Sequence, residues 1–367
     1  MKKEVISDKQ GISLMILFII GTSIIYASGI KAKQDMWIAI ILSLLTAFPL
    51  AMMCARLHYI FPGKTLFDIC ELCFGRFIGK LITALYIWFI FHTGVSVILN
   101  LNIFITTVSL FNTPRIVPLT CIIMLCAWVA KEGIEVLGRW SSLFAIIFIT
   151  FIISTALFLT PQMKINNILP VLNNGMKPVL NGAFGTYCFP FTQIVVFLAA
   201  FSNFESKKSP FKIYFKSLLI GGIFILLLSL MNILILGIDT ASRVYYPSYE
   251  SALRVDIGEL LQRVEIIISA GFVIGAFVKG SIYLLATCKG ISKLFNCRDY
   301  RFIVIPVALL MISFSTYSYN SIMDYFYWIL EEWTLYYALP FQMIVPVIIW
   351  IFAEIKSKRL LSNSNGT

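Results

Sequence analysis

Long apolar runs separated by short polar connections dominate the chain. Ten runs read as membrane-crossing segments: roughly 11–30, 36–56, 80–105, 115–130, 140–160, 181–201, 213–237, 264–286, 302–318 and 335–353. About 20 apolar residues at about 1.5 Å each span the hydrocarbon of a bilayer. The pattern predicts an all-α polytopic membrane protein with about ten transmembrane helices. The connections are too short to hold a soluble domain, so residues 1–367 are expected to form a single transmembrane domain.

Two of the runs are interrupted. The first, Gly11 to Ile30, breaks at Gly21-Thr22-Ser23; the sixth, Asn181 to Phe201, breaks at Gly185-Thr186 and again at Pro190. Each break lies about 7–15 Å into its span, near the midplane. Non-helical backbone at that depth leaves N–H and C=O groups that lipid cannot satisfy, so it survives only inside protein or against a cavity. Glycine and proline also serve as kinks or close-packing positions in membrane helices. Two breaks five spans apart point instead to an inverted repeat, about 11–160 and 181–353, with the site at the interrupted helices.

The connections carry their own patterns. In Phe61 to Lys80, Thr65 is placed to cap a short helix with Asp68 three residues on, putting Leu66, Ile69, Cys70 and Cys73 on one face. Such a helix would lie at the inner membrane surface. Tyr325, Phe326, Tyr327, Trp328, Trp333, Tyr336 and Tyr337 read as an interfacial aromatic belt before the tenth span. The longest outer connection, Gly237 to Arg263, holds Asp239, Arg243, Glu250, Arg254, Asp256 and Glu259. It is either a lid or docking surface or a plain solvated loop.

Composition agrees with the class: 59% of residues are hydrophobic and 13% charged. The net charge of +11 invites a nucleic-acid reading. With the N-terminus inside, however, most Lys and Arg fall on the inner side while Asp and Glu divide evenly. That is the positive-inside pattern, so both termini are expected in the cytoplasm and no nucleic-acid partner is expected. The eight cysteines lie mostly in spans or inner connections, which argues against a disulfide framework. Cys70 and Cys73 have metal-like spacing, but only His58 is a nearby further ligand, so no metal site is expected. With two histidines and no nucleophile, phosphate-loop or metalloprotease motif, the chain reads as a non-enzyme without cofactors.

Two ionisable groups fall within spans. Lys279 lies about 10 Å from the inner end of span eight, so its ammonium either snorkels to the interface or faces a cavity. Tyr283 is one turn further on the same face. His92, in Phe91-His92-Thr93-Gly94, is a candidate by its depth, with a hydrogen-bonded core histidine as the alternative.

Four stretches resemble one family. Phe61-Pro62-Gly63-Lys64-Thr65-Leu66, followed by Phe74-Gly75-Arg76-Phe77-Ile78-Gly79-Lys80, is similar to the first inner loop of the B subunits of bacterial spore germinant receptors. Ala130-Lys131-Glu132-Gly133-Ile134-Glu135-Val136-Leu137-Gly138-Arg139 resembles that family's turn between spans four and five. Phe189-Pro190-Phe191-Thr192-Gln193 through Phe197 resembles its broken sixth span. Arg263-Val264-Glu265, then Phe277-Val278-Lys279-Gly280-Ser281-Ile282-Tyr283, then Lys289-Gly290-Ile291 resembles its eighth. The resemblance covers the whole chain. The family is a branch of the amino acid–polyamine–organocation superfamily.

The resemblance implies a 5+5 inverted repeat with broken helices 1 and 6, as in LeuT-like transporters. It implies a small germinant, typically an amino acid, and assembly with an A subunit and a lipoprotein C subunit in the inner membrane of a spore. The rival reading is an amino acid permease. The family pattern usually has a carboxylate where this chain has Gln193, which puts charge pairing at that position in doubt. In sodium-coupled transporters of this fold a sodium ion lies between spans one and eight. A fixed Lys279 ammonium there would replace it and make the protein sodium-independent.

An amino acid needs two kinds of partner. Its carboxylate suits free N–H groups at a half-helix N-terminus, and its ammonium suits carbonyls at a half-helix C-terminus. The candidate ligand-binding set is therefore Gly21, Thr22, Ser23, His92, Gly185, Tyr187, Phe189, Pro190, Gln193, Lys279 and Tyr283. Tyr187, Phe189 and Phe191 would shape the side-chain pocket, with Gln193 as a polar probe.

Overall fold

Ser7 opens the first helix with a reciprocal cap. Its hydroxyl accepts from Gln10 N at 3.2 Å, and Gln10 Oε1 accepts from Ser7 N at 3.2 Å. This helix, α1 (Asp8–Ile20), is apolar on every side and buried from Leu14 to Ile20. The computed structural model describes residues 4–254, 263–319 and 321–364. Asp256 and Glu259 of the outer connection lie outside them.

After α1 come a tight 3-10 turn, Gly21–Ile25, and a second, Ile30–Asp35. Then follow α2 (Met36–Ile60), α3 (Leu66–Val108), α4 (Ile116–Glu132), α5 (Ile134–Leu159) and α6 (Met176–Cys188). A 3-10 turn, Phe191–Val196, leads to the short α7 (Phe197–Ala200) and on to α8 (Ser209–Ala241), α9 (Pro247–Leu253) and α10 (Glu265–Leu294). The chain ends with α11 (Val304–Tyr317), α12 (Ile322–Tyr327), π-helical turns over Trp328–Glu332 and Thr334–Ile344, and α13 (Val345–Ser364). The extended pairing among the described residues is one short parallel pair: β1 (Val5–Ile6) runs beside β2 (Asn203–Phe204).

The architecture is that of an α-helical polytopic membrane protein. Among the described residues, eight helical stretches are long and apolar enough to cross a membrane. The runs at 115–130 and 302–318 are helices too, but α4 has 17 residues and α11 has 14. The Thr65 cap forms as expected: Asp68 Oδ2 accepts from Thr65 N at 3.0 Å and from its hydroxyl at 2.8 Å. Gly75, at φ 80°, then turns the chain from this capped segment into the long span.

The first break lies where the sequence put it: α1 stops at Ile20, the 3-10 turn follows, and Tyr26 is extended at φ −100°, ψ 156°. The sixth span departs from expectation. No break occurs at Gly185-Thr186; α6 runs on to Cys188 and opens at Phe189-Pro190. Within α6, Phe189 N donates to Gly185 O at 2.9 Å and Thr186 Oγ1 to Gly182 O at 3.0 Å, so both residues keep helical bonding. Proline cannot donate to the helix ladder, and the break moves there.

Ion pairs place both chain ends on one face. Arg56 pairs with Glu354 at 2.8 Å, Lys293 with Asp68 at 2.8 Å and Glu71 at 3.1 Å, and Lys289 with Glu4 at 2.9 Å. This terminal face joins the start of α1 to the far ends of α2 and α10, the start of α3 and the end of α13.

Candidate functional site

A cavity of about 590 Å³ opens on the face opposite the termini. The breaks after α1 and α6 supply its floor through Thr22, Phe189 and Gln193, with Gly185 of α6 beside them. Lys31 and Glu331, paired at 3.0 Å and about half exposed, stand at the mouth with Arg243 and Trp333. The π-helical turns that flank Trp333 and carry Thr334 and Leu335 to the rim are of a type frequent at functional sites.

One wall is a polar network centred on Asn100 of α3. Its amide nitrogen donates to the Tyr26 hydroxyl and, at 3.1 Å, to the Tyr325 hydroxyl; Tyr325 in turn donates to Ser96 O at 2.9 Å. Both amide hydrogens are thus used, and Asn100 Oδ1 is left buried with no partner. Across the cavity Gln193 Oε1 is likewise buried and unpartnered. Asn100 and Gln193 both line the cavity, and each carries a buried acceptor without a partner, a costly arrangement that a donor reaching either side chain would relieve. Tyr26 accepts from Asn100, so its own hydroxyl proton remains free for an acceptor.

Lys279 is fully buried, which excludes snorkelling. Its ammonium donates to Thr22 Oγ1 at 3.2 Å and stands 4.6 Å from the ring centre of Phe189 and 5.0 Å from that of Phe18. No carboxylate pairs with it among the described residues. It therefore sits behind the floor, touching one residue from each break. Thr22, accepting from the ammonium, keeps a hydroxyl proton that the neighbouring charge makes a stronger donor.

Four of the eleven sequence-predicted residues line the cavity: Thr22, Gly185, Phe189 and Gln193. A Cβ added at Gly185 would meet no heavy atom within 4 Å, so its bare face is turned to open space. Gly21 is turned the other way. Its Cβ direction points at Gly275 O, 3.2 Å off, so it admits α10 to the α1 backbone. Ser23 and Pro190 are buried at the breaks. Tyr283 is fully buried with its ring 5.5 Å from Phe18. His92 lies among Trp328, Tyr337 and Trp88 at 4.8, 5.1 and 5.6 Å, to one side of the cavity. Tyr187 packs into the same side with Cys188, Trp333 and Ala338.

The sequence reading missed Tyr26, Asn100 and Tyr325. Asn100 carried a signal, a polar side chain inside an apolar span. Tyr325 was assigned to an interfacial belt, and here the structure corrects the reading. Tyr325, Phe326 and Trp333 are buried and line the cavity, whereas Tyr327 and Tyr336 of the same stretch are exposed. The Cys70–Cys73 pair gains no metal partners: His58 packs instead against Tyr214, and no group of potential ligands forms among the described residues.

Toward the terminal face the cavity is shut twice. Phe18 packs edge-on to Phe197 at 4.9 Å, and Phe197 lies 4.7 Å from Phe201. Beyond this plug, β1 straps the face. Glu4 accepts from Lys289 and, at 3.2 Å, from the Tyr300 hydroxyl; Lys289 also donates to Ala200 O at 2.9 Å. Burial, with the Glu4 carboxylate beside it, holds the Tyr300 hydroxyl above its usual range.

Comparison with known proteins gives one answer in sequence and one in fold. A family described as spore germination protein matches residues 5–322. The chain is 27% identical to spore germination protein KB of Bacillus subtilis (strain 168), over 98% of this chain and 97% of that one. It is 24% identical to spore germination protein YndE of the same organism, over 72% and 73%. Among solved structures, the fold is similar to Mhp1, a nucleobase-cation-symport-1 family transporter in a closed conformation with bromovinylhydantoin bound. There the TM-score is 0.65 at 12% identity, covering 88% of this chain and 74% of that one. It is also similar to a mutant of the Eremococcus coleocola manganese transporter, with TM-score 0.57 at 15% identity, covering 95% and 84%. A transporter fold, broken at two helices around a cavity, is thus joined to a sequence match that spans most of the chain: this multi-pass membrane protein belongs to the spore germination protein family.

Proposed function

We propose that the chain is the B subunit of a spore germinant receptor, binding a small germinant in the cavity and passing a conformational change to an A subunit and a lipoprotein C subunit. The observation that carries this reading is a cavity floored by the two helix breaks and lined by Asn100 and Gln193, each with an acceptor left without a partner. A free amino acid satisfies it: the ammonium supplies donors to the two acceptors, and the carboxylate takes the free protons of Tyr26 and Thr22. Lys279 backs Thr22 with positive charge, fills the place between the α1 break and α10, and makes the response independent of sodium. The membrane is the spore inner membrane, with the basic terminal face in the cytoplasm.

The transporter neighbours favour a second reading, an amino acid permease using the same cavity. One experiment separates the two. Spores carrying this chain with its partner subunits are scored for germination against single amino acids, and proteoliposomes of the purified chain are scored for uptake of the effective ones. Germination without uptake supports the receptor. Uptake without any germination response would refute it.

A further inference from the structure

The walls of the cavity are aromatic, but not where the sequence put them. Phe191 is fully buried and Tyr187 packs to one side, and neither lines the cavity. A chain of ring contacts rises from the floor instead. Phe184 and Phe189 pack with Trp333 around Cys188 and Ala338. Phe189 meets Tyr26 edge-on, with ring centres 6.3 Å apart. Tyr26 lies 6.4 Å from Tyr246, Tyr246 lies 6.5 Å from Phe326, and Phe326 stacks on Tyr245 at 4.7 Å. Tyr26, Phe184, Phe189, Tyr245, Phe326 and Trp333 all line the cavity.

This collar offers ring faces and edges, which suit another ring or a large apolar group. Fixed charge is spent elsewhere. Lys31 and Glu331 neutralise each other at the mouth, where Arg243 also stands, and Lys279 lies behind the floor. A cationic side chain entering the collar would find Glu331 already paired and lose its water without a counter-charge. Size points the same way. The cavity of about 590 Å³ equals about twenty waters at roughly 30 Å³ each. A methyl side chain would leave most of the collar wet, and apolar stabilisation grows with the area removed from water.

We infer that the collar selects amino acids with an aromatic side chain, whose ring lies among Phe184, Phe189, Phe326 and Trp333 while the head group stays at the floor. The inference rests on the amino acid reading proposed above and narrows it to a class of ligand. Phenylalanine adds six carbons to alanine, and one methylene in a pocket is worth roughly 10–200-fold, so the preference for phenylalanine is at least about 100-fold.

The test is thermal unfolding of the purified full-length protein in detergent, titrated in turn with L-phenylalanine, L-tyrosine, L-alanine and L-lysine. Saturable stabilisation is expected, with half-saturation by phenylalanine and tyrosine at concentrations at least about 100-fold below that of alanine. Phe184→Ala and Phe326→Ala should each narrow the ratio between phenylalanine and alanine at least about tenfold. Phe184 is only half-buried, so its variant remains informative if Phe326→Ala does not fold. Alanine binding as tightly as phenylalanine would overturn the collar while leaving the amino acid reading in place. Lysine binding as tightly as phenylalanine would make the rings a cation site and overturn it too. A ratio unchanged in Phe184→Ala would place the ligand's ring elsewhere and count against the inference. Stabilisation by none of the four would refute both the collar and the reading on which it rests.

Discussion

Gly185→Leu separates ligand binding from folding. Gly185 lies inside α6, where leucine is a better helix former than glycine by about 0.7 kcal/mol. The backbone bond from Phe189 N to Gly185 O needs no particular side chain. An added Cβ meets nothing within 4 Å, so the side chain starts into open space at the cavity that Phe189 and Thr22 also line. One misplaced methylene in a pocket is worth roughly 1–3 kcal/mol, or 10–200-fold, and leucine adds four carbons. The germinant concentration for half-maximal response is expected to rise at least about 100-fold, with Gly185→Ala intermediate. Gly182, one turn earlier, supplies the contrast. Its Cβ would lie 2.8 Å from Ala32 Cβ and 2.9 Å from Gly29 O, so Gly182→Leu is expected to lower protein abundance itself. Germination dose–response curves and quantitative immunoblots on the same spores provide both readouts. A Gly185→Leu protein with normal abundance and an unchanged curve would refute the placement of the ligand.

Lys279→Met removes a buried, unpaired charge and keeps the length of the side chain. The melting temperature is expected to rise, by about 1–2 °C per kcal/mol recovered, while germination is lost in sodium and choline media alike. A wild-type response that requires sodium, or a fully active Met variant, would overturn the role given to Lys279. Gln193→Glu places a carboxylate opposite Asn100 Oδ1 and should shift the effective ligands toward those with a second cationic group. A panel in which every ligand weakens by one factor would indicate structural damage instead.

The legible parts of this molecule were those fixed by local chemistry. Apolar run length placed the eight long helices found among the described residues, because backbone groups in lipid have few other solutions. Pro190 marked its break because it has no N–H to give the helix ladder, and Gly21 marked the other as the capping residue at which α1 stops. Gly185 misled because a glycine inside α6 keeps its hydrogen bonds, and only the three-dimensional surroundings show that its bare face leaves room for a ligand. Tyr325 and Tyr327 are two residues apart and chemically alike, yet one lines the cavity and the other faces outward. Lys279 was conspicuous by charge, but its direction depended on Thr22 and Phe189, far away in the chain. The strap was invisible, since a two-residue strand has no periodicity to read.

Under the receptor function proposed above, that strap gives the cavity a route to the partner subunits. Lys279 touches Thr22 of the first break and Phe189 of the second, so a ligand that moves either floor residue acts on one side chain of α10. Ten residues further along the same unbroken helix, about 15 Å away, Lys289 holds Glu4 and Ala200 O. A rigid helix contacting the floor at one point and the strap at another transmits displacement without intermediate side-chain steps. The Glu4–Lys289 pair is mostly buried, at 22% and 12% exposure, which places its contribution between exposed and fully buried pairs, about 1–3 kcal/mol. Loss of the pair should therefore raise opening of the strap roughly 5–150-fold. Hydrogen exchange at the amides of Val5 and Ile6 reads this directly. An effective germinant should change that exchange in the wild type, Glu4→Gln should raise it without ligand, and Lys279→Met should abolish the ligand's influence while leaving the basal rate. If germinant leaves exchange at Val5 and Ile6 unchanged in the wild type, α10 does not connect the cavity to the strap.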